Sequence, residues 1–168
     1  MEDKATGKGI IRCEKYRLRE GETEEELLKR IDNKEVKPYE IKEAANIWLT
    51  TGWTELLKLV TGASTSHFDA TYATIGVGDD ATAAAAGQTD LIGSNKTYKG
   101  MSSGYPTTPA SGTVQVKARF LTSEANYAHN ELVVKNSLSE VCWNRNATGW
   151  GTKTASDVFD YTVTLGKA

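Results

Sequence analysis

From residue 63 onward, short runs of β-branched and aromatic residues are separated by clusters of Gly, Ser, Thr, Asn and Asp. That rhythm belongs to antiparallel β-structure, in which each strand ends at a turn and the chain folds back beside itself. Val114, Val116, Ala118 and Phe120 recur at every second position, so a strand carrying them turns all four to one face. Candidate strands fall at 72–78, 97–102, 113–121, 130–136, 141–145 and 158–165. The best helical signal is at 51–61, where Trp53, Leu56, Leu57 and Val60 recur at helical spacing and Gly62 supplies a stop. A mainly β fold is expected: an antiparallel β-sandwich or jelly-roll-like body on which this helix packs by its apolar face.

The first part of the chain is built differently. Residues 1–60 carry 13 Asp/Glu and 12 Lys/Arg, which leaves 9 and 8 of the chain's 22 and 20 for the longer remainder. The composition changes near Gly62, where two differently built regions join. A charged N-terminal extended arm, 1–43, and a body, 44–168, are expected, the boundary being set by where the resemblance given below begins. Within the arm, 9–20 reads as an exposed or edge strand. Thr23 followed by Glu26 makes a capping box for a short helix whose face is Leu27, Leu28 and Ile31. Residues 36–42 read as an edge strand or crossing segment because Pro38 lacks an N–H and holds its neighbour extended. A terminus rich in charge and poor in core residues frays unless something ties it down, and the arm is expected to be clamped against neighbouring chains in a large assembly.

The length of 168 residues suits one domain, and the net charge of −2 supplies no general attraction for nucleic acid or an anionic membrane. The mean hydropathy of −0.46, with no long apolar run, gives no membrane-spanning segment. The N-terminus shows no signal-peptide pattern, so synthesis in a cytoplasm is expected. Cys13 and Cys142 lie far apart and form no C-x-x-C pair, which argues against a zinc or thioredoxin-type site and leaves a disulfide between them open.

Several clusters carry residue types that could do chemistry. Asp79, Asp80 and Asp90 could ligate calcium if they converged, but an acidic turn after a strand accounts for the first two. His67 with Asp69, and His129 with Glu131, could each point one way from a strand as half of a metal or acid–base site. Polar pairs without a third ligand explain them more simply. Ser64, Ser66, Ser102 and Ser103 lack a nucleophile elbow. Gly76-Val77-Gly78 is followed by acid rather than a glycine-rich helix start, which argues against a phosphate site. The sequons at Asn95 and Asn146 are chance matches for a chain without a secretion signal. Trp143, Trp150, Tyr127, Tyr105 and Tyr98 could present a sugar-stacking platform, although aromatics of β-domains more often fill cores and interfaces. No catalytic, cofactor-binding or metal-ligating residue is assigned, and no enzyme activity or cofactor is expected.

The run from Asn46 through Gly52 leads into the helix Trp53–Val60. The segment Ile75-Gly76-Val77-Gly78-Asp79-Asp80-Ala81-Thr82 is followed by Gln88-Thr89-Asp90-Leu91. Tyr98–Met101, Gly104–Pro106, Arg119-Phe120, Glu124–Tyr127 with Asn130-Glu131, Asn144-Arg145, Gly151–Lys153 and Tyr161–Leu165 come next in order. Over roughly 44–166 these segments, in this order, resemble a family of small virion structural proteins of tailed bacteriophages, minor structural, head-decoration or tail-fibre-associated, whose most specific motif is the one resembled at Ile75–Leu91. The resemblance implies a capsid decoration, or cement, protein on the virion surface, made in the host bacterial cytoplasm. The expected partners are the major capsid protein and other copies of the chain, a homotrimer being expected from virion symmetry alone, while the charge and hydropathy above give no nucleic acid and no membrane. The alternative is a tail-tip, baseplate or fibre component that contacts the host. That alternative predicts an exposed aromatic cluster including Trp143 or Trp150, whereas a cement protein predicts both buried or at subunit contacts.

Overall fold

The computed structural model describes residues 9–110 and 112–166. Ten strands and two helices follow one another: β1 (Gly9–Arg17), α1 (Glu24–Asp32), β2 (Glu40–Trp48), α2 (Thr50–Thr61), β3 (Ala73–Gly78), β4 (Lys96–Gly100), β5 (Thr113–Phe120), β6 (Ala128–His129), β7 (Glu131–Asn136), β8 (Cys142–Asn146), β9 (Gly151–Thr152) and β10 (Asp157–Gly166). Eight strands form one antiparallel sheet in the order β4-β3-β7-β8-β2-β1-β10-β5, and β6 pairs with β9 separately. The sheet curls until its two ends approach. There the Ser102 amide donates to the Lys117 carbonyl at 2.8 Å, and Thr107 bridges to Gln115. The result is a near-barrel with a sandwich-like interior, which agrees with the expected mainly β body.

The alternation read from sequence is realised in the core. Val116, Ala118 and Phe120 of β5 stand opposite Val163, Tyr161 and Phe159 of β10, and these oppose Ile11, Cys13 and Lys15 of β1. All but Lys15 join one buried cluster with Ile75, Val77, Leu132, Val134 and Trp150. Strand β7 is buried on both faces. Its inner side chains fill the barrel, and its outer ones lie under the segment joining β3 to β4. None of the described helices is long and apolar enough to cross a membrane.

Residues 9–43 do not form the expected arm. Strand β1 sits inside the sheet, paired along its length with β2 and β10, and Ile11 and Cys13 are core residues. Charges mask the pattern of an interior strand here: Arg12, Glu14 and Arg17 belong to the outer face or the strand end, while Ile11 and Cys13 keep the inner alternation. Likewise β2 starts only at Glu40, after Pro38, and lies between β1 and β8. From Gly9 on, the arm expected to be clamped against neighbouring chains pairs within the sheet of its own chain, and its residues 1–8 lie outside the described residues. Helix α1 forms as read: Thr23 Oγ1 accepts from the Glu26 amide, and the Glu26 carboxylate accepts from the Thr23 amide at 2.8 Å. Its Leu27 and Ile31 bury against Tyr16 and Val158 on the outer wall of the barrel. Arg119 secures it there by bonding Asp32 at 2.8 Å while holding Asp160 with two parallel hydrogen bonds of 2.6 and 2.8 Å.

Candidate functional site

Helix α2 ends as expected, with Gly62 in the left-handed conformation at φ 71°, but it packs by the opposite face from the one its periodicity indicates. Its buried residues are Gly52 and Glu55. Gly52 rests on the backbone of β8: a Cβ placed there would lie 2.4 Å from Trp143 Cα and 2.6 Å from Trp143 O. That close approach sets the helix rotation. Glu55 is held inward by the Ser64 hydroxyl and by Lys58 at 3.7 Å.

The consequence is an outward apolar stripe. Trp53, Leu57 and Val60 lie at i, i+4 and i+7 on one face and are 44%, 51% and 79% exposed. Lys58 is the only exposed charged side chain of the helix. The stripe is continuous with aromatic packing beneath it: Trp53 meets Trp48 edge-on at 5.6 Å, Trp48 meets Trp143 at 6.0 Å, and Trp143 stacks on Phe68 at 3.9 Å. A rigid apolar ridge with almost no charge is the composition of an interface core. A second exposed aliphatic set, Ile10, Ile41 and Ile47, stands on the outer face of β1 and β2.

The segment from Asp79 to Asn95 lies over the outer face of β7 and β8 and is fastened by a buried ion pair. Arg145 and Glu131 are both inaccessible to solvent, with Nη2 2.7 Å and Nε 3.0 Å from Oε2. The remaining capacity of both is spent on the segment: Arg145 Nη1 donates to the Thr82 carbonyl and to Gln88 Oε1, and Glu131 accepts from the amides of Ile92 and Gly93. Gly78 makes room for this, since a Cβ there would come within 2.3 Å of Glu131 Oε1. The motif-like stretch Ile75–Asp79 therefore has a structural purpose. It supplies a strand with glycine where a buried carboxylate must pass.

The three aspartates considered for calcium are each engaged by protein donors. Asp79 accepts from the amide and side chain of Asn95, Asp80 from the Thr82 amide, and Asp90 from Tyr98 and Lys135 at 2.7 and 2.8 Å. These partners hold all three carboxyls below their ordinary range, although burial opposes this at Asp90. Among the described residues no three His, Cys, Asp or Glu side chains gather as a metal site.

The histidine pairs are not brought together. His67 is exposed in the loop after α2, and Asp69 caps the amides of Thr71 and Tyr72. His129 points into the barrel, with Nδ1 2.8 Å from the Tyr161 hydroxyl and Nε2 2.8 Å from the Ala125 carbonyl, whereas Glu131 belongs to the outer ion pair. Burial lowers the His129 pKa to about 4, so the ring is neutral. Cys13 and Cys142 are free and buried, which closes the question of a disulfide between them. The sugar-stacking platform is absent: Trp150 is fully buried, Trp143 is 7% exposed, and the Tyr127 and Tyr98 hydroxyls are bonded inward. The Arg145–Glu131 pair could not be read from sequence, because only strand register brings positions fourteen apart together.

No protein-family model, curated protein or solved structure matches this chain.

Proposed function

We propose that this chain is a virion structural protein of a tailed bacteriophage, acting as a capsid decoration protein that binds across capsid subunits. The carrying observation is the outward stripe Trp53, Leu57 and Val60 on a helix locked to the barrel through Gly52. A stable body that presents uncharged apolar side chains on a rigid element is equipped to bind another protein surface. The ordered segments from Asn46 to Leu165 that resemble tailed-phage virion structural proteins support a viral protein shell as that surface. Burial of Trp143 and Trp150 favours this reading over a tail-tip or fibre component, which would need them exposed for host contact.

The mechanism is mechanical. A protein that binds only the assembled shell disfavours its disassembly by mass action, and several copies joined in a symmetric trimer would add avidity. Because β1 and β2 lie within the sheet, we assign the contact with the shell to α2 and not to the segment 9–43. The test is a pair of surface substitutions, Leu57→Glu and Val60→Glu, assayed by co-sedimentation with heads that lack this protein. The reading requires that binding be lost while the melting temperature stays near that of the parent protein. Undiminished co-sedimentation would remove α2 from the interface.

A further inference from the structure

Lys153 follows β9 and is 1% exposed, yet among the described residues no carboxylate lies within ion-pair distance of its Nζ. Burial lowers its pKa to about 8, the nearby charges of Asp157, Glu124 and Glu24 only partly opposing this. Roughly a tenth of the side chain is thus the free amine at neutral pH. Its nearest polar neighbour is a side-chain amide: Nζ lies 2.9 Å from Asn126 Oδ1, one bond from the carbonyl carbon. The backbone fixes this approach, since Ala128 pairs with Thr152 and the Lys153 amide donates to the Tyr127 carbonyl at 3.0 Å. Asn126 is held from its other end as well, with Nδ2 donating to the Thr122 carbonyl at 2.8 Å. The amine therefore sits on the buried side of the amide, and the amide nitrogen lies toward the exposed turn.

We propose that Lys153 and Asn126 react to form an intramolecular amide crosslink. Nζ of the free amine adds to Asn126 Cγ, the Cγ–Nδ2 bond breaks, and Nδ2 leaves as ammonia. One proton passes from Nζ to the departing nitrogen, so no oxidant, reductant or cofactor is consumed. Holding the two groups together replaces a bimolecular aminolysis with an intramolecular one. The product ties the turn before β6 to the chain after β9 with a bond that reducing agents cannot break, in a chain whose two cysteines are unpaired.

The experiment is the intact mass of the purified full-length chain in denaturant, followed over time at pH 8. The expected mass is lower than that of the sequence by one ammonia. A tryptic digest should then contain a branched peptide joining the Asn126 and Lys153 segments, with no cleavage after Lys153. K153R and N126A should each show the full mass of their own sequences. A parent protein that keeps its full mass throughout, with cleavage after Lys153, overturns the proposal.

Discussion

Gly52 of α2 lies so close to Trp143 of β8 that a methyl group at Gly52 would overlap the Trp143 backbone, 2.4 Å from its Cα. This single approach decides which face of the helix is hidden and which is offered to a partner. Gly52→Ala must push the helix off the sheet, since the obstructing atoms are backbone and cannot rotate away. The expected cost is about 1–3 kcal/mol, the usual range for overpacking, read as a lower denaturant midpoint. Trp53 fluorescence should change with it, because the Trp48–Trp53 contact depends on the same placement.

Glu131→Gln leaves Arg145 charged and buried without its counterion. Breaking such a pair from one side costs about 3–5 kcal/mol, and the loss should be accompanied by faster hydrogen exchange at the Ile92 and Gly93 amides, which bond to Glu131. Replacing both members, as Glu131→Leu with Arg145→Met, should recover much of the stability but not the protection of the segment. Normal protection in the single variant would show that the segment is held without the ion pair.

Acid sensitivity should begin above the carboxylate range. The folded chain keeps His129 neutral until about pH 4, whereas the unfolded chain takes up that proton near pH 6.5, so the unfolded state binds more protons between these values. Stability therefore rises with pH across this window and is lost as pH falls through it, by about 3 kcal/mol from this ring alone. Asp90 and Asp157, whose pKa values are lowered, withdraw their contributions only at still lower pH. Denaturation midpoints measured from pH 7 to pH 4 check this, and His129→Gln should flatten the profile between 6.5 and 4.

Neither cysteine should react with a thiol reagent in the native protein. Cys13 is raised to about 12 by burial and Cys142 is raised as well, so almost no thiolate exists and no path leads to it. Both should label fully in denaturant. Rapid native labelling of either would mean that the barrel wall opens there.

Thr23→Ala removes one half of the capping box at α1 and should cost about 1 kcal/mol by denaturant titration. The loss stays modest because Leu27 and Ile31 still anchor the helix on Tyr16 and Val158.

The local rules of the chain were legible wherever one residue type does one job. Thr23 and Glu26 marked a helix start, Gly62 a helix end, and the alternation of Val116, Ala118 and Phe120 a barrel strand. What depends on partners distant in sequence was not. β1 looked peripheral because Arg12 and Glu14, which the barrel turns outward, and Arg17 at the strand end interrupt its apolar pattern. The apolar stripe of α2 looked like a packing face because periodicity reports that a face exists and cannot say what covers it; the backbone of β8, approaching Gly52, already occupied the other side. The buried pair Arg145–Glu131 and the pair Lys153–Asn126 arise from strand register alone.

The most direct measurement is to separate purified virions into heads and tails and to quantify this polypeptide in each against the major capsid protein by mass spectrometry. A decoration protein should accompany the heads at a fixed ratio to the capsid subunit, in hundreds of copies per particle. A few copies confined to the tails would contradict the account and return host contact as the function to explain.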